Sequence, residues 1–442
     1  KKMSVSKRAS ESLSLTCPMF GAFSQTLNKM YDADTNPNGA LNLGVAHNDL
    51  LQQKVFEKVN WDPWIPKFHT HNFFNVYCDL YSHLLWMQDL NYGPSEGTQE
   101  LRQLMKDFFT RHFHPYYPIN WTDIFVHTGA GASINQLFLS IADPGDYCLI
   151  PTPFYGAFEY DVSVHTGIHI LPVNLHKELQ DMSIDPDQLE SYYQGATSEG
   201  KKVTSMLITN PENPLAKCYS KKDIETILAF ADRHHIHVVF DEIYALSTYS
   251  QFLDKKTQDP FISVLSLPYK ELIDPALVHV IYGLSKDFAV NGFRVGYVVN
   301  QFNGPLKQAL RRSSAFSYLS TITDRLLCNM FSDTKWIDEY LLENRQALAA
   351  SYTRTTEFLK SEGIDYIAGQ AGPFLLVDIR NKLVSATSES DDLLWTKMLD
   401  GGVYLAKGSV FYIGQPGFFR LTFALPWDEL HKGLTRFVKA LQ

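Results

Sequence analysis

Lys286 and Arg294 stand eight positions apart in SKDFAVNGFRVGY (residues 285–297), an otherwise apolar, glycine-containing run behind the strand-like residues 278–282. An amine becomes a nucleophile and Schiff-base former when its surroundings disfavour the ammonium form, through apolar burial or a nearby cation such as Arg294. The pair reads as a lysine for an aldehyde cofactor and an arginine for its phosphate. Two solvated surface charges are the alternative.

Five further segments carry residue types that such a cofactor and its substrate need. VHTGAGASINQ (residues 126–136) puts Ala130, Gly131 and Ala132 at a strand-to-helix junction, where backbone amides face an anion and small residues let it approach. A dinucleotide fingerprint would need a third glycine where Ile134 stands, and a packing turn is the plainer alternative. VVFDEIYALS (residues 238–247) ends a buried strand on Asp241; a carboxylate there is costly without a partner, or else caps a helix. TNPENPLAK (residues 209–217) has two Asn-Pro steps, which by themselves signal only a turn. Tyr155 in PTPFYGAF (residues 151–158) offers a ring after a strand, as core tyrosines also do. In QPGFFRLTF (residues 415–423), Arg420 lies between aromatics; a guanidinium fork binds a carboxylate bidentately, and a surface arginine is the alternative.

Taken in order, these segments resemble the class I and II aminotransferases, and within them the 1-aminocyclopropane-1-carboxylate (ACC) synthases, over most of the chain from about Tyr31 to Phe423. The resemblance implies pyridoxal 5'-phosphate (PLP) as cofactor, with an α/β architecture: the PLP-dependent transferase type I fold, a large domain with a mostly parallel sheet plus a small α+β domain. It makes Lys286 the catalytic Schiff-base lysine, Ser285 and Arg294 phosphate ligands, and Ala130, Gly131 and Ala132 the phosphate cradle. Tyr155 stacks on the pyridine face, Asp241 pairs with its nitrogen, and Asn213 and Tyr244 donate to its 3-oxygen. Arg420 grips the substrate α-carboxylate. NYGPSEGTQELR (residues 91–102) matches the segment whose tyrosine, here Tyr92, reaches the phosphate of a neighbouring subunit, which implies a homodimer with shared active sites. Gly283 stands where many relatives carry a phosphate-binding serine, and Ala216 where the family has glycine.

The pattern breaks around the substrate. A glutamate of the ACC synthases is His47 in GVAHNDL (residues 44–50), beside Ala46, and a tyrosine near the start is Met19. These three residues line the substrate pocket by resemblance, so the expected reaction shifts while the cofactor machinery stays nearly whole. The reading is an ACC-synthase-like carbon–sulfur lyase of secondary metabolism, acting on an amino acid or cysteine S-conjugate. An aminotransferase is the first alternative and a true ACC synthase the second.

The elements that must position these residues follow from hydropathy. Short apolar runs at 124–128, 147–150, 205–209, 237–240, 278–282 and 295–299 alternate with helical patterns, as in a largely parallel sheet covered on both faces. One helix start is legible: Ser220 with Asp223 reads as a capping box, followed by Ile224, Ile227, Leu228 and Ala231 at helical spacing. In such sheets ligands lie beyond the strand carboxyl ends, where the motifs fall. Polar residues 181–202, 254–260 and 385–392 read as surface loops. The expected units are an N-terminal segment (1–65) joining the small domain, a large PLP-binding domain (66–323) and a small C-terminal domain (324–442).

Composition narrows the partners. With 45% hydrophobic and 20% charged residues the 442-residue chain reads as soluble and globular. A net charge of -9 argues against a sequence-independent grip on nucleic acid or anionic membrane. No apolar run reaches the length of a membrane span, and residues 1–16 lack the apolar core of a secretory signal. Five scattered cysteines without a CxxC pair read as reduced thiols of a cytoplasmic protein. Three HxH pairs, His69/His71, His112/His114 and His235/His237, lack further ligands at metal spacing, so no metal is expected.

Overall fold

The computed structural model describes residues 18–19, 30–31, 36–59, 91–176, 178–253, 260–383 and 385–442. Cys17, Cys78 and the His69/His71 pair lie outside these residues, as do residues 1–16 and most of the 254–260 stretch.

The strands are β1 (Leu41–Asn42), β2 (Ile124–His127), β3 (Tyr147–Pro151), β4 (His169–Val173), β5 (Val203–Thr209), β6 (His237–Asp241), β7 (Val278–Gly283), β8 (Gly296–Val299), β9 (Asp365–Ile367), β10 (Phe374–Asp378), β11 (Val403–Tyr404), β12 (Ala406–Lys407) and β13 (Phe418–Thr422). Seven of them form one sheet in the order β2-β8-β7-β6-β5-β3-β4. β4, β3, β5, β6 and β7 pair in parallel, whereas β8 runs antiparallel to both β7 and β2. The edge strand β2 and the interior strands β5 to β8 are nearly continuous runs of buried apolar residues, as a sheet covered on both faces requires.

Three local features depart from the sequence expectation. β4 carries Pro172, which demotes a strand pattern; it is tolerated because β4 is a sheet edge with one paired side. Within 181–202 the chain forms a helix, Pro186–Ser198, not a loop. Its apolar stripe is thin, with Leu189 and Ala196 buried, but Asp185 caps it by accepting from Asp187 N and Gln188 N, and Pro186 presets the first turn. Likewise residues 388–392 open the helix Ser388–Asp400, capped by Thr387, with Glu389 and Asp391 favourably placed at the positive end. The capping box at Ser220 and Asp223 is present and starts the helix Lys221–His234.

A second, antiparallel sheet has the order β12-β13-β10-β9. It shares a core with the helices Thr334–Ser361 and Trp427–Leu441, in which Leu375, Val377, Phe419, Leu421 and Phe437 are buried. Leu43 packs in this core, and β1 pairs in parallel with β11, Leu41 opposite Val403 and Asn42 opposite Tyr404. Residues 44–46 are thereby delivered to the end of the large sheet.

No helix among the described residues is long and apolar enough to cross a membrane. Among the described residues, Cys148, Cys218 and Cys328 form no disulfide. Of the described histidines in HxH pairs, His237 shares a 2.9 Å hydrogen bond with the buried His279, and His112 lies 3.4 Å from Asp338. Among the described residues no group of three or more His, Cys, Asp or Glu is arranged to hold a metal ion.

Candidate active site

The carboxyl ends of β2, β3, β5, β6 and β7 surround one cavity of about 400 Å³, closed on the other side by residues 44–46 and by Tyr404, Ala406 and Arg420 of the second unit. Met19, Ala46, Ala130, Gly131, Tyr155, Asn213, Asp241, Tyr244, Ser285, Lys286, Arg294 and Arg420 all line it. Three expected site residues do not. Ala132 sits one residue further into the helix Ala130–Ile141. Tyr92 is 94% exposed, on a loop whose Gly93 lies against Thr321. The His47 ring bonds the Val45 carbonyl and pairs with Asp49 at 3.2 Å, so local contacts two residues away on either side hold it off the cavity.

Lys286 follows β7 in a short helical turn, and its Nζ donates to the Ala46 carbonyl at 2.6 Å. Burial, then the cations Arg420 and Arg294, pull its amine down to about 8, while Asp241 opposes them. The turn is fixed by Asp287, whose buried carboxylate accepts from Leu246 N at 3.0 Å, Ser247 Oγ at 2.5 Å and Tyr282 Oη at 3.0 Å. Those bonds tie Lys286 to the loop after β6.

That loop begins with Asp241 at the strand end, accepting from Ile243 N at 3.3 Å. Burial raises its carboxyl to about 7. A second acid, Asp161, lies in the same cavity and also pushes Asp241 up; its own carboxyl is raised to about 7 by burial, against the pull of Arg294. Asp161 belongs to the π-helical turn Glu159–Val164, and a Cβ on Gly131 would lie 2.7 Å from its Oδ1. Nothing in the hydrophobic pattern marks this residue, because only the fold of the segment after Tyr155 brings it over the helix start.

The start of the helix Ala130–Ile141 is shaped by close main-chain contacts. Gly129, at φ 101°, precedes the helix, and a side chain there would meet Arg294 Nη2 at 2.5 Å. Arg294 itself has left-handed φ and donates to Asn291 O at 2.9 Å. On β8, a Cβ at Gly296 would lie 2.3 Å from Gly129 C and 2.4 Å from Ala130 N, so strand and helix start touch backbone to backbone. Gly296→Ala is therefore expected to cost about 1–3 kcal/mol or more of stability, because neither partner is a side chain that can swing away. A denaturation midpoint equal to wild type would contradict this contact.

Arg420 is buried on β13. Its Nη1 donates to Asn213 Oδ1 at 2.7 Å and its Nη2 to Gly44 O at 2.6 Å, while Nε has no partner. The guanidinium lies 4.8 Å from the Phe374 ring centre and 4.6 Å from that of Phe411. Among the described residues it forms no ion pair with a carboxylate, so a bound carboxylate would find a desolvated cation with a spare donor. Tyr244 is buried edge-on to Phe374, and burial pushes its phenol up, so it stays protonated as a donor. Tyr155 meets Phe158 edge-on at 5.5 Å.

Residues 83–437 match the model of the family "Aminotransferase class I and II". The chain is 31% identical over 418 residues to the 1-aminocyclopropane-1-carboxylate synthase-like protein 1 of Mus musculus, covering 93% of this chain and 78% of that protein. It is 31% identical over 391 residues to 1-aminocyclopropane-1-carboxylate synthase 6 of Arabidopsis thaliana, covering 88% and 75%. A 30% match over 417 residues, covering 93% and 67%, is to a Mus musculus protein named probable inactive 1-aminocyclopropane-1-carboxylate synthase-like protein 2. In fold the chain is similar to a single mutant of Thermus thermophilus aspartate aminotransferase, with TM-score 0.76 and 19% identity over 99% of each chain. It is also similar to an aromatic aminotransferase of Pyrococcus horikoshii, with TM-score 0.72 and 19% identity over 95% and 98%.

Proposed function

Because the chain belongs to the class I and II aminotransferase family, in its ACC-synthase-like branch, we propose that its cavity performs Cα–H chemistry on an α-amino acid, and that the reaction is carbon–sulfur β-elimination from a cysteine S-conjugate. The family cofactor is PLP, and the fold is the PLP-dependent transferase type I fold. The residues fit it: an amine depressed to about 8, a buried acid at a strand end and a glycine-lined helix start beside Arg294 share one cavity. When bound, PLP supplies an aldehyde for an amino group and a ring that stores the electrons released at Cα.

Lys286 would carry the aldehyde, with Asp241 facing the pyridine nitrogen and Tyr155 its ring face. Asn213 and Tyr244 would face the 3-oxygen. Ala130, Gly131, Ser285 and Arg294 would hold the phosphate. The substrate carboxylate goes to Arg420. Lys286 Nζ, held at the Ala46 carbonyl on the same side of the cavity, is the base for the Cα proton.

One observation carries the substrate class. Among the described lining residues the cations are Lys286, Arg294 and Arg420, and each has a task above. No cation is left for a side-chain carboxylate, whereas Met19, Val45, Ala46 and Ala406 offer an apolar wall suited to a thioether. The same wall suits apolar amino acids, which keeps an aminotransferase as the second reading. ACC synthesis ranks third, since Met19 and His47 replace the family's tyrosine and glutamate. Elimination converts the conjugate and water to a thiol, pyruvate and ammonia, with no keto acid consumed. The test is to supply cysteine S-conjugates to the PLP-loaded protein and measure thiol and pyruvate. Turnover that needs a keto acid and releases no thiol would establish the aminotransferase instead; ACC formed from S-adenosylmethionine would establish the synthase.

The assembly belongs to this proposal. Tyr92 and Phe316, 94% and 90% exposed, suit burial against a second copy of the chain, with Tyr92 reaching the partner's phosphate. Tyr92→Phe should then weaken PLP retention by about 1.5–3 kcal/mol, one hydrogen bond to a charged group. Equilibrium dialysis of PLP measures this, and a fully active monomer at all dilutions would refute the shared site. Reduced thiols support placing the protein in the cytoplasm. We propose the division at about residues 65 and 323 as part of the same reading; the helix Thr321–Ser332 spans the second of these points.

A further inference from the structure

Tyr404 was not among the residues that the sequence singled out. The parallel pairing of β1 with β11 sets Asn42 opposite Tyr404 and brings the ring beside Gly44. A Cβ at Gly44 would lie 2.3 Å from Tyr404 Cε1, 2.6 Å from Cδ1 and 2.8 Å from Cζ, so the ring occupies the space of the side chain that Gly44 lacks. Trp395 meets the same ring edge-on, with centres 6.4 Å apart. The Gly44 carbonyl in turn accepts from Arg420 Nη2 at 2.6 Å. Tyr404 is 3% exposed and lines the cavity, so its ring stands at the Arg420 end with neighbours that prevent it from swinging aside.

We propose that Tyr404 is a specificity-determining residue, whose immobilised ring sets the upper size of the side chain on an amino acid held at Arg420. The inference rests on the reading of Arg420 as the carboxylate site, but on neither the lyase nor the aminotransferase outcome. A rigid aromatic fixed by main chain on one side rejects bulk by overlap, which a flexible wall would not do. The substrate class is thereby narrowed to amino acids with slim side chains, such as S-alkyl cysteines, over those with a branched or aromatic group near Cβ.

Binding to the PLP-loaded protein, followed by the cofactor's absorbance, tests this without turnover. The probes are 2-aminoisobutyrate and α-methylphenylalanine, neither of which has an α-hydrogen to lose. Wild type should favour the small ligand. Tyr404→Ala should improve the Kd of the large ligand relative to the small one by about tenfold or more, the scale at which a hydrophobic pocket discriminates by size. Because Tyr404→Ala also removes core packing against Trp395, Tyr404→Leu is measured beside it and should move the ratio the same way. Gly44→Ala, which forces the ring to shift, should change the ratio, while Tyr404→Phe should leave it unchanged. An unaltered ratio in both Tyr404→Ala and Tyr404→Leu overturns the proposal. A Tyr404→Phe variant that weakens both ligands equally, with no size effect in the other variants, overturns it in favour of a hydroxyl contact to the carboxylate. If neither probe perturbs wild type, the amino-acid reading of the cavity falls, and this inference with it.

Discussion

Lys286→Ala is expected to lower turnover by at least about 10²–10⁴-fold, the contribution of a positioned acid–base group, and to abolish covalent retention of PLP while leaving the fold intact. Borohydride reduction followed by mass spectrometry reads the covalent link: PLP should be trapped on wild type and not on the variant. Circular dichroism should show the same fold, since Asp287, not Lys286, makes the bonds to Leu246, Ser247 and Tyr282 that fix the turn. Stability supplies a second readout in the cofactor-free protein. The lysine's folded value of about 8 lies below its ordinary 10.5, so between these values the unfolded chain binds more protons and stability rises with pH. Below about 8 the full penalty of the buried amine applies. Lys286→Ala should therefore gain stability over wild type at pH 7, and the gain should shrink toward pH 10. Trapped PLP at the usual yield on the variant would remove Lys286 from its role.

Arg420→Ala is the second large effect. Removing one partner of a buried charge pair costs about 2–5 kcal/mol. On the scale of 1.36 kcal/mol per decade, that is a fall of about 30-fold to several thousandfold in kcat/KM. Arg420→Lys should recover little, because an ammonium cannot keep both the Asn213 and Gly44 bonds and still present a fork to a carboxylate. The decisive comparison is between an amino acid and the corresponding amine without its carboxylate, measured as spectral binding. The variant should lose the wild-type preference for the acid. A preference preserved in Arg420→Ala would assign the carboxylate elsewhere.

Lys286, Asp241, Asn213 and Arg294 were legible because each follows or borders a strand whose apolar run marks it, and the resemblance of the surrounding motif to the family then names the residue. Arg420 was legible from the aromatics around it. Asp161 and Tyr404 were not, for a shared reason: their places depend on contacts between segments far apart in the chain. Asp161 reaches the helix start by way of a π-helical turn over Gly131, and Tyr404 by way of the β1–β11 pairing. The direction of β8 was equally hidden, since periodicity reports burial but not polarity. His47 shows the reverse case. Its position in a motif pointed to the pocket, yet bonds to Val45 and Asp49 turn the ring away. The helix Pro186–Ser198 was obscured by its thin apolar stripe, although Asp185 and Pro186 were a readable start signal.

The segment at 44–46 grips both functional ends of the cavity through its carbonyl oxygens, Gly44 O on Arg420 and Ala46 O on Lys286. A peptide carbonyl is the same whatever side chain follows it, so the chemistry is insulated from sequence drift in this loop. The Val45 side chain lines the pocket without making either bond, so a change there alters the wall and leaves both carbonyl contacts in place. At 44–46 an alanine scan tests the Tyr404 contact at Gly44 and the Val45 side chain but leaves both carbonyls in place, and so would miss their role. Replacing the peptide links themselves, by ester or thioamide substitution, is the perturbation to which these contacts should respond.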